Sequence, residues 1–172
     1  MSYHHGDLRR AMVDAAATAV AERGPAALSL RELARLAGVS HAAPAHHFGD
    51  KAGVLTAVAA EGFTLLADAL ATAHGDLLAA GLAYVGFAAA HPGHFAVMFD
   101  RGLVHTDDPA LVAARERAGG ALTALTSDAV SARAAWSVAH GFASLWLSGA
   151  LTGADAAEAA EPVLRRAVAG GL

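Results

Sequence analysis

Forty-eight of the 172 residues are alanine, and that excess constrains the fold before any motif is read. Alanine has the highest helix propensity and is depleted in strands, so the bias favours helices and argues against an all-β chain. It also inflates the hydrophobic share of 55%, because each alanine buries little area. Charged residues make up only 16%, with Lys51 the single lysine, which excludes a disordered chain and calls for a membrane test. Two uncharged stretches, 77–99 and 134–153, come near the length of a span. The first is broken by His91-Pro92-Gly93. The second is rich in Ala, Ser and Gly and contains His140, so both read as buried helices of a soluble core with no membrane partner. The absence of cysteine removes disulfides, a thiol nucleophile and cysteine-based zinc sites, in keeping with a cytoplasmic chain. The polar opening carries no apolar signal-peptide core.

Helical periodicity covers nearly the whole chain, and no alternating β-branched run suggests a strand. Leu8, Met12, Ala15, Ala16, Ala19 and Val20 form one stripe that Gly24-Pro25 ends. Ser29-Leu30-Arg31-Glu32 has capping-box spacing and starts a second helix, stopped at Gly38. Ser40 is placed to cap a very short third helix with Pro44 in its first turn. Asp50 caps a fourth helix whose apolar face, Leu55, Val58, Gly62, Leu65, Leu66 and Ala69, continues for about five turns. Further helices are expected at about 76–90, 94–100, 108–126, 129–151 and 157–169.

A capped helix, a turn at Gly38 and a short helix with small, polar first residues suit a major-groove reader. The run RELARLAGVS through HHFGDKAGVL, about thirty residues from the N-terminus, resembles the TetR/AcrR family of bacterial transcription regulators. AWSVAHGF, with Trp136, His140 and Gly141, resembles the Trp-His-Gly signature of one branch, and the opening YHHGDLR is similar to how that branch begins.

The resemblance implies an all-α fold: an N-terminal three-helix helix-turn-helix domain (1–50, motif 29–48) and a C-terminal helical ligand-binding and dimerisation domain (51–172). The helix 51–72 would link the two. It further implies a homodimeric regulator, a repressor by type, with three partners: a double-stranded DNA operator, a small-molecule effector and a second copy of itself. No cofactor is implied. Carried over where residues match, Ser40, His41, Ala42, Ala43, His46 and His47 would approach bases or phosphates, and Ser29, Arg31 and Lys51 the DNA backbone. At Ala45 most members carry a tyrosine that contacts phosphate, so one positioning contact is missing.

Charge divides unevenly. In residues 1–55, Arg9, Arg10, Arg23, Arg31, Arg35 and Lys51 stand against Asp7, Asp14, Glu22, Glu32 and Asp50, a net of +1 within a total of −4. The sign suits DNA binding by the first part, although +1 is low beside basic DNA-binding domains. Scarce aromatics gather in the middle helices, and Tyr84, Phe95, Phe99, Trp136 and His140 are the expected lining of an apolar ligand pocket. His91, His94, His105 and His140 make a helical haem- or metal-binding protein the alternative reading. However, Pro92-Gly93 interrupts their helical spacing, and no metal-ligand pattern such as His-Glu-x-x-His is present. No paired carboxylates, nucleophile–base arrangement or phosphate loop points to an enzyme.

Overall fold

A computed structural model describes residues 5–170, with side chains from Leu8 onward. Tyr3 and His4 of the opening motif lie outside the described residues, and His5 is described by its backbone alone. The described chain is helical, with no strand: α1 (His5–Arg23), a 3-10 turn (Pro25–Ala27), α2 (Leu30–Leu36), α3 (Ala43–Phe48), α4 (Lys51–Ala71), α5 (Leu77–Ala90), α6 (Pro92–Met98), α7 (Pro109–Thr123), α8 (Ala129–Leu147) and α9 (Ala156–Ala169).

Most helix ends follow local chemistry. The Ser29 hydroxyl accepts from the Glu32 amide at 3.2 Å, and Asp50, Asp76, Asp128 and Asp155 accept in the same way at the starts of α4, α5, α8 and α9. Three expectations need correcting. Ser40 does not cap α3 with its side chain. Ala42 occupies the cap position, and Ser40 contributes its carbonyl, which accepts from the Ala43 amide at 3.0 Å. Next, α6 opens at Pro92 rather than residue 94, because proline has no amide to lose at the first helical position. Finally, α8 ends at Leu147 instead of residue 151. There Gly149 takes φ +76°, and the Gly149 and Ala150 amides bond back to the Trp146 and Leu145 carbonyls, the paired closure that a left-handed residue allows.

The chain divides into two compact units. The first comprises residues 1–62 together with 93–113; the second comprises 63–92 and 114–172. In the first unit Met12, Ala16 and Val20 of α1 are buried, as are Leu33 and Ala34 of α2, Val54, Leu55 and Val58 of α4, and Val97 and Met98 of α6. In the second, α5 packs on both α8 and α9. Tyr84, Val85, Ala135, Ala139, Phe142 and Leu164 are buried there.

Nearly half of the buried apolar positions are alanine, which brings backbones close enough for glycine to decide the fit. A Cβ on Gly93 would lie 1.9 Å from the Ala17 carbonyl oxygen of α1. Of the described helices, α4 is long and apolar enough to span a bilayer, and neither stretch flagged by its lack of charge is. Most of its apolar window is buried inside the protein, which accounts for its composition.

Candidate functional site

The helix-turn-helix lies within the first unit. A close turn connects α2 and α3: Gly38 takes φ +66°, its amide bonds to the Arg35 carbonyl, and the Val39 amide reaches the Ala34 carbonyl at 3.0 Å. Leu33, Ala34 and Pro44 are buried, which leaves the other side of the short α3 to solvent. Of the proposed DNA-contacting residues, Ser29, Arg31, Ser40, His41, Ala42 and His46 are exposed, and Ala43, His47 and Lys51 are partly covered. Ala45 is exposed as well, so the position that lacks the tyrosine hydroxyl faces outward.

Lys51 is held rather than loose: its Nζ donates to the Ala26 carbonyl at 2.9 Å, tying the start of α4 to the loop before α2. Glu32 does not turn back to the Ser29 amide as a full capping box would. It accepts from Arg23 at 3.2 Å and from Arg35 at 2.8 and 3.0 Å. These two arginines hold its carboxyl at about 2, well below the usual range. Arg9 of α1 lies over the Phe48 ring, 5.1 Å from its centroid, a contact between α1 and the end of α3 that periodicity does not reveal.

Three of the five expected ligand residues meet in the second unit. The Trp136 indole donates to the Tyr84 hydroxyl at 3.2 Å, and that hydroxyl shares a 2.9 Å hydrogen bond with His140 Nδ1. Burial raises the Tyr84 phenol above its ordinary value and lowers the His140 imidazole. Beside them is a cavity of about 20 Å³ lined by Tyr84 and Trp136 with Leu70, Leu77, Ala80 and Leu164 among others. That is room for about one water. His140 bonds to Tyr84 but does not line the cavity. Phe95 and Phe99 belong to the first unit and pack edge to face, 5.4 Å apart, at α6 and just after it. Helical periodicity does not reveal that the chain passes from one unit to the other at Pro92-Gly93.

The histidines of the middle segment do not converge on one point. His94 Nε2 bonds to Glu61 at 3.0 Å, His105 Nε2 to Asp50 at 3.0 Å, and His140 to Tyr84. Among the described residues no three His, Cys, Asp or Glu side chains cluster to hold a metal. The sequence reading missed Thr56, His105 and Asp50 as a connected group; the one available signal was a threonine set into the apolar run of α4.

A short solvent-facing helix behind a closed turn, in an otherwise helical chain, defines a helix-turn-helix protein with a separate helical body. Residues 12–58 match the family described as bacterial regulatory proteins, tetR family, and residues 77–169 match the tetracyclin repressor-like C-terminal domain. A solved structure of a protein with unknown function from Rhodococcus sp. RHA1 is 32% identical over 99% of this chain and 98% of that one, with a TM-score of 0.79. The multidrug binding protein EbrR, solved with imidazole, is 26% identical over 94% and 89%, with a TM-score of 0.64. The TetR family regulator PfmR from Thermus thermophilus shares the fold at 20% identity over 94% and 98%, with a TM-score of 0.70. No match is found among curated proteins. The chain belongs to the TetR family of bacterial transcription regulators.

Proposed function

We propose that this protein is a ligand-responsive, homodimeric repressor that acts in the cytoplasm, reads a palindromic operator through α3 and releases it when a small effector binds. Residues 1–50 serve as the DNA-reading part and 51–172 as the regulatory and dimerising part, with α4 common to both. The observation that carries the reading is α3 itself: Pro44 anchors it inward, while His41, Ala42 and His46 face solvent at its start and middle. Ser40, Ala43 and His47 complete the base-facing set, and Ser29, Arg31 and Lys51 flank it as phosphate contacts.

A dimer is supported by exposed apolar residues on the last two helices, Val130 at 71%, Leu145 at 50% and Val163 at 47%. Two half-sites read by two copies would lie about 34 Å or a multiple apart. The effector site is assigned to the Tyr84, Trp136 and His140 cluster, whose surroundings are apolar, and the Trp136-His140-Gly141 spacing supports placement in the Trp-His-Gly branch. Phe95 and Phe99 remain part of the proposed effector-lining set. The relative EbrR, described as a multidrug binding protein, supports a small organic effector. Effector and operator then weaken one another by a single reciprocal coupling energy.

Selection of fragmented genomic DNA with the purified protein, followed by footprinting, tests the reading. Enrichment of a palindrome whose log affinity falls linearly with log salt supports it, and an absence of DNA binding at any salt refutes it.

A further inference from the structure

Apart from Tyr84, the buried polar side chains among the described residues are two, Thr56 and His94. Burying a hydroxyl or an imidazole is costly unless each finds a partner. Both find theirs across one junction within the first unit, between α4 and the segment 93–108. Thr56 Oγ1 accepts from the His105 amide at 2.8 Å while donating to the Ala52 carbonyl at 2.7 Å. His94 Nε2 bonds to Glu61 at 3.0 Å, one helical stretch further along α4.

His105 makes a second contact, from Nε2 to Asp50 Oδ1 at 3.0 Å, and the same oxygen accepts from the Gly53 amide at 2.7 Å. Gly53 in turn lies against the end of α3: a Cβ there would come within 1.9 Å of the Phe48 carbonyl oxygen. The Asp50 amide also bonds to that carbonyl at 3.0 Å. A continuous set of hydrogen bonds and close contacts thus runs from the loop after α6, through the first turns of α4, to the last residue of the recognition helix.

We infer that the segment 93–108 braces the recognition helix through α4, and that Thr56 and His105 are positioning residues for DNA binding that do not themselves touch DNA. This rests on the DNA-binding reading above. The exposed Asp50–His105 pair is worth little by itself, since water screens side chains this open. The buried Thr56 hydroxyl is the stronger joint. Its removal without loss of volume leaves the His105 amide without that acceptor, while serine keeps it.

The experiment compares full-length Thr56→Val, Thr56→Ser, His105→Ala and His105→Gln with the wild type. Phe142→Leu in the core of the second unit serves as a control for general loss of stability. Two readings are taken: affinity for the duplex that the wild-type protein enriches from genomic DNA, and amide hydrogen exchange. Thr56→Val is expected to weaken DNA binding about tenfold and to speed exchange over 43–53 with little change over 129–147. Thr56→Ser stays within about twofold of wild type. His105→Ala loses about threefold, and His105→Gln, whose side-chain nitrogen can still donate to Asp50, recovers most of it. The inference is overturned if Thr56→Val binds DNA as the wild type does, or if its loss merely equals that of Phe142→Leu at the same Tm. It also fails if exchange rises evenly along the chain. Should the wild-type protein bind no DNA, the DNA-binding reading falls and exchange over 43–53 alone decides whether the brace exists.

Discussion

Gly93 offers a sharp test of the packing argument. In place of its hydrogen, a Cβ would come 1.9 Å from the Ala17 carbonyl oxygen, 2.8 Å from its carbonyl carbon and 3.1 Å from the Ala21 nitrogen. All three are backbone atoms of α1, so no flexible side chain can give way. An ordinary carbon–oxygen contact is about 3.3 Å, so the start of α6 must withdraw by more than about 1 Å for Gly93→Ala to fit. Overpacking of this sort costs about 1–3 kcal/mol, and a displaced backbone belongs at the upper end.

At about 2–4 °C per kcal/mol for a chain of this size, a cost of about 3 kcal/mol lowers Tm by about 6–12 °C. The matched control is Gly86→Ala in the middle of α5, where the new Cβ would meet nothing within 4 Å. Relief of glycine's backbone entropy there stabilises by about 0.5–1 kcal/mol and raises Tm by about 1–4 °C. Thermal unfolding followed by far-ultraviolet circular dichroism measures both. The reasoning is refuted if Gly93→Ala melts with the wild type, or if the two substitutions lower Tm by similar amounts.

Tyr84→Phe removes the hydroxyl that Trp136 and His140 share, and because Trp136 is exposed and His140 only partly covered, both can turn to water; the chain loses about 0.5–1.5 kcal/mol, read as a lower urea midpoint with an unchanged slope. His140 is held below its ordinary value by burial, so the unfolded chain takes up the proton first and the native state loses stability as pH falls from 6.5 through the lowered native value. The stability difference between wild type and His140→Gln therefore shrinks below pH 6.5 in urea titrations; a difference that stays constant from pH 8 to 5 would remove His140 from the account.

Much of the fold was legible because its signals are local. Ser29 and Asp50 cap helices as expected, a side-chain oxygen reaching an amide three residues on, a reach set by the backbone alone; Asp76, Asp128 and Asp155 follow the same rule without having been singled out as caps. The helix-turn-helix was legible for the same reason: Gly38 supplies the left-handed turn, and Leu33, Ala34 and Pro44 supply its buried side. Ser40 shows the limit. A serine before a short helix has the composition of a cap, but Ala42 took the position, one turn of chain having come between. Three of the expected ligand residues met because helical spacing puts Trp136 and His140 on one face, and Tyr84 was the polar aromatic of the helix packed against it.

What the sequence determined by itself was the helical class, the caps at Ser29 and Asp50 and the helix-turn-helix, since all of these depend on interactions within a few residues. Which helices share a core was decided by tertiary structure. Phe95 and Phe99 went with the first unit and Tyr84 with the second, although they are close along the chain, because α6 starts at Pro92 and Gly93 lets it lie against α1. The joining of Thr56 to His105, 49 positions apart, likewise has no local signature. Its partner is chosen by the need to satisfy a buried hydroxyl, and that need arises only once α4 has been covered.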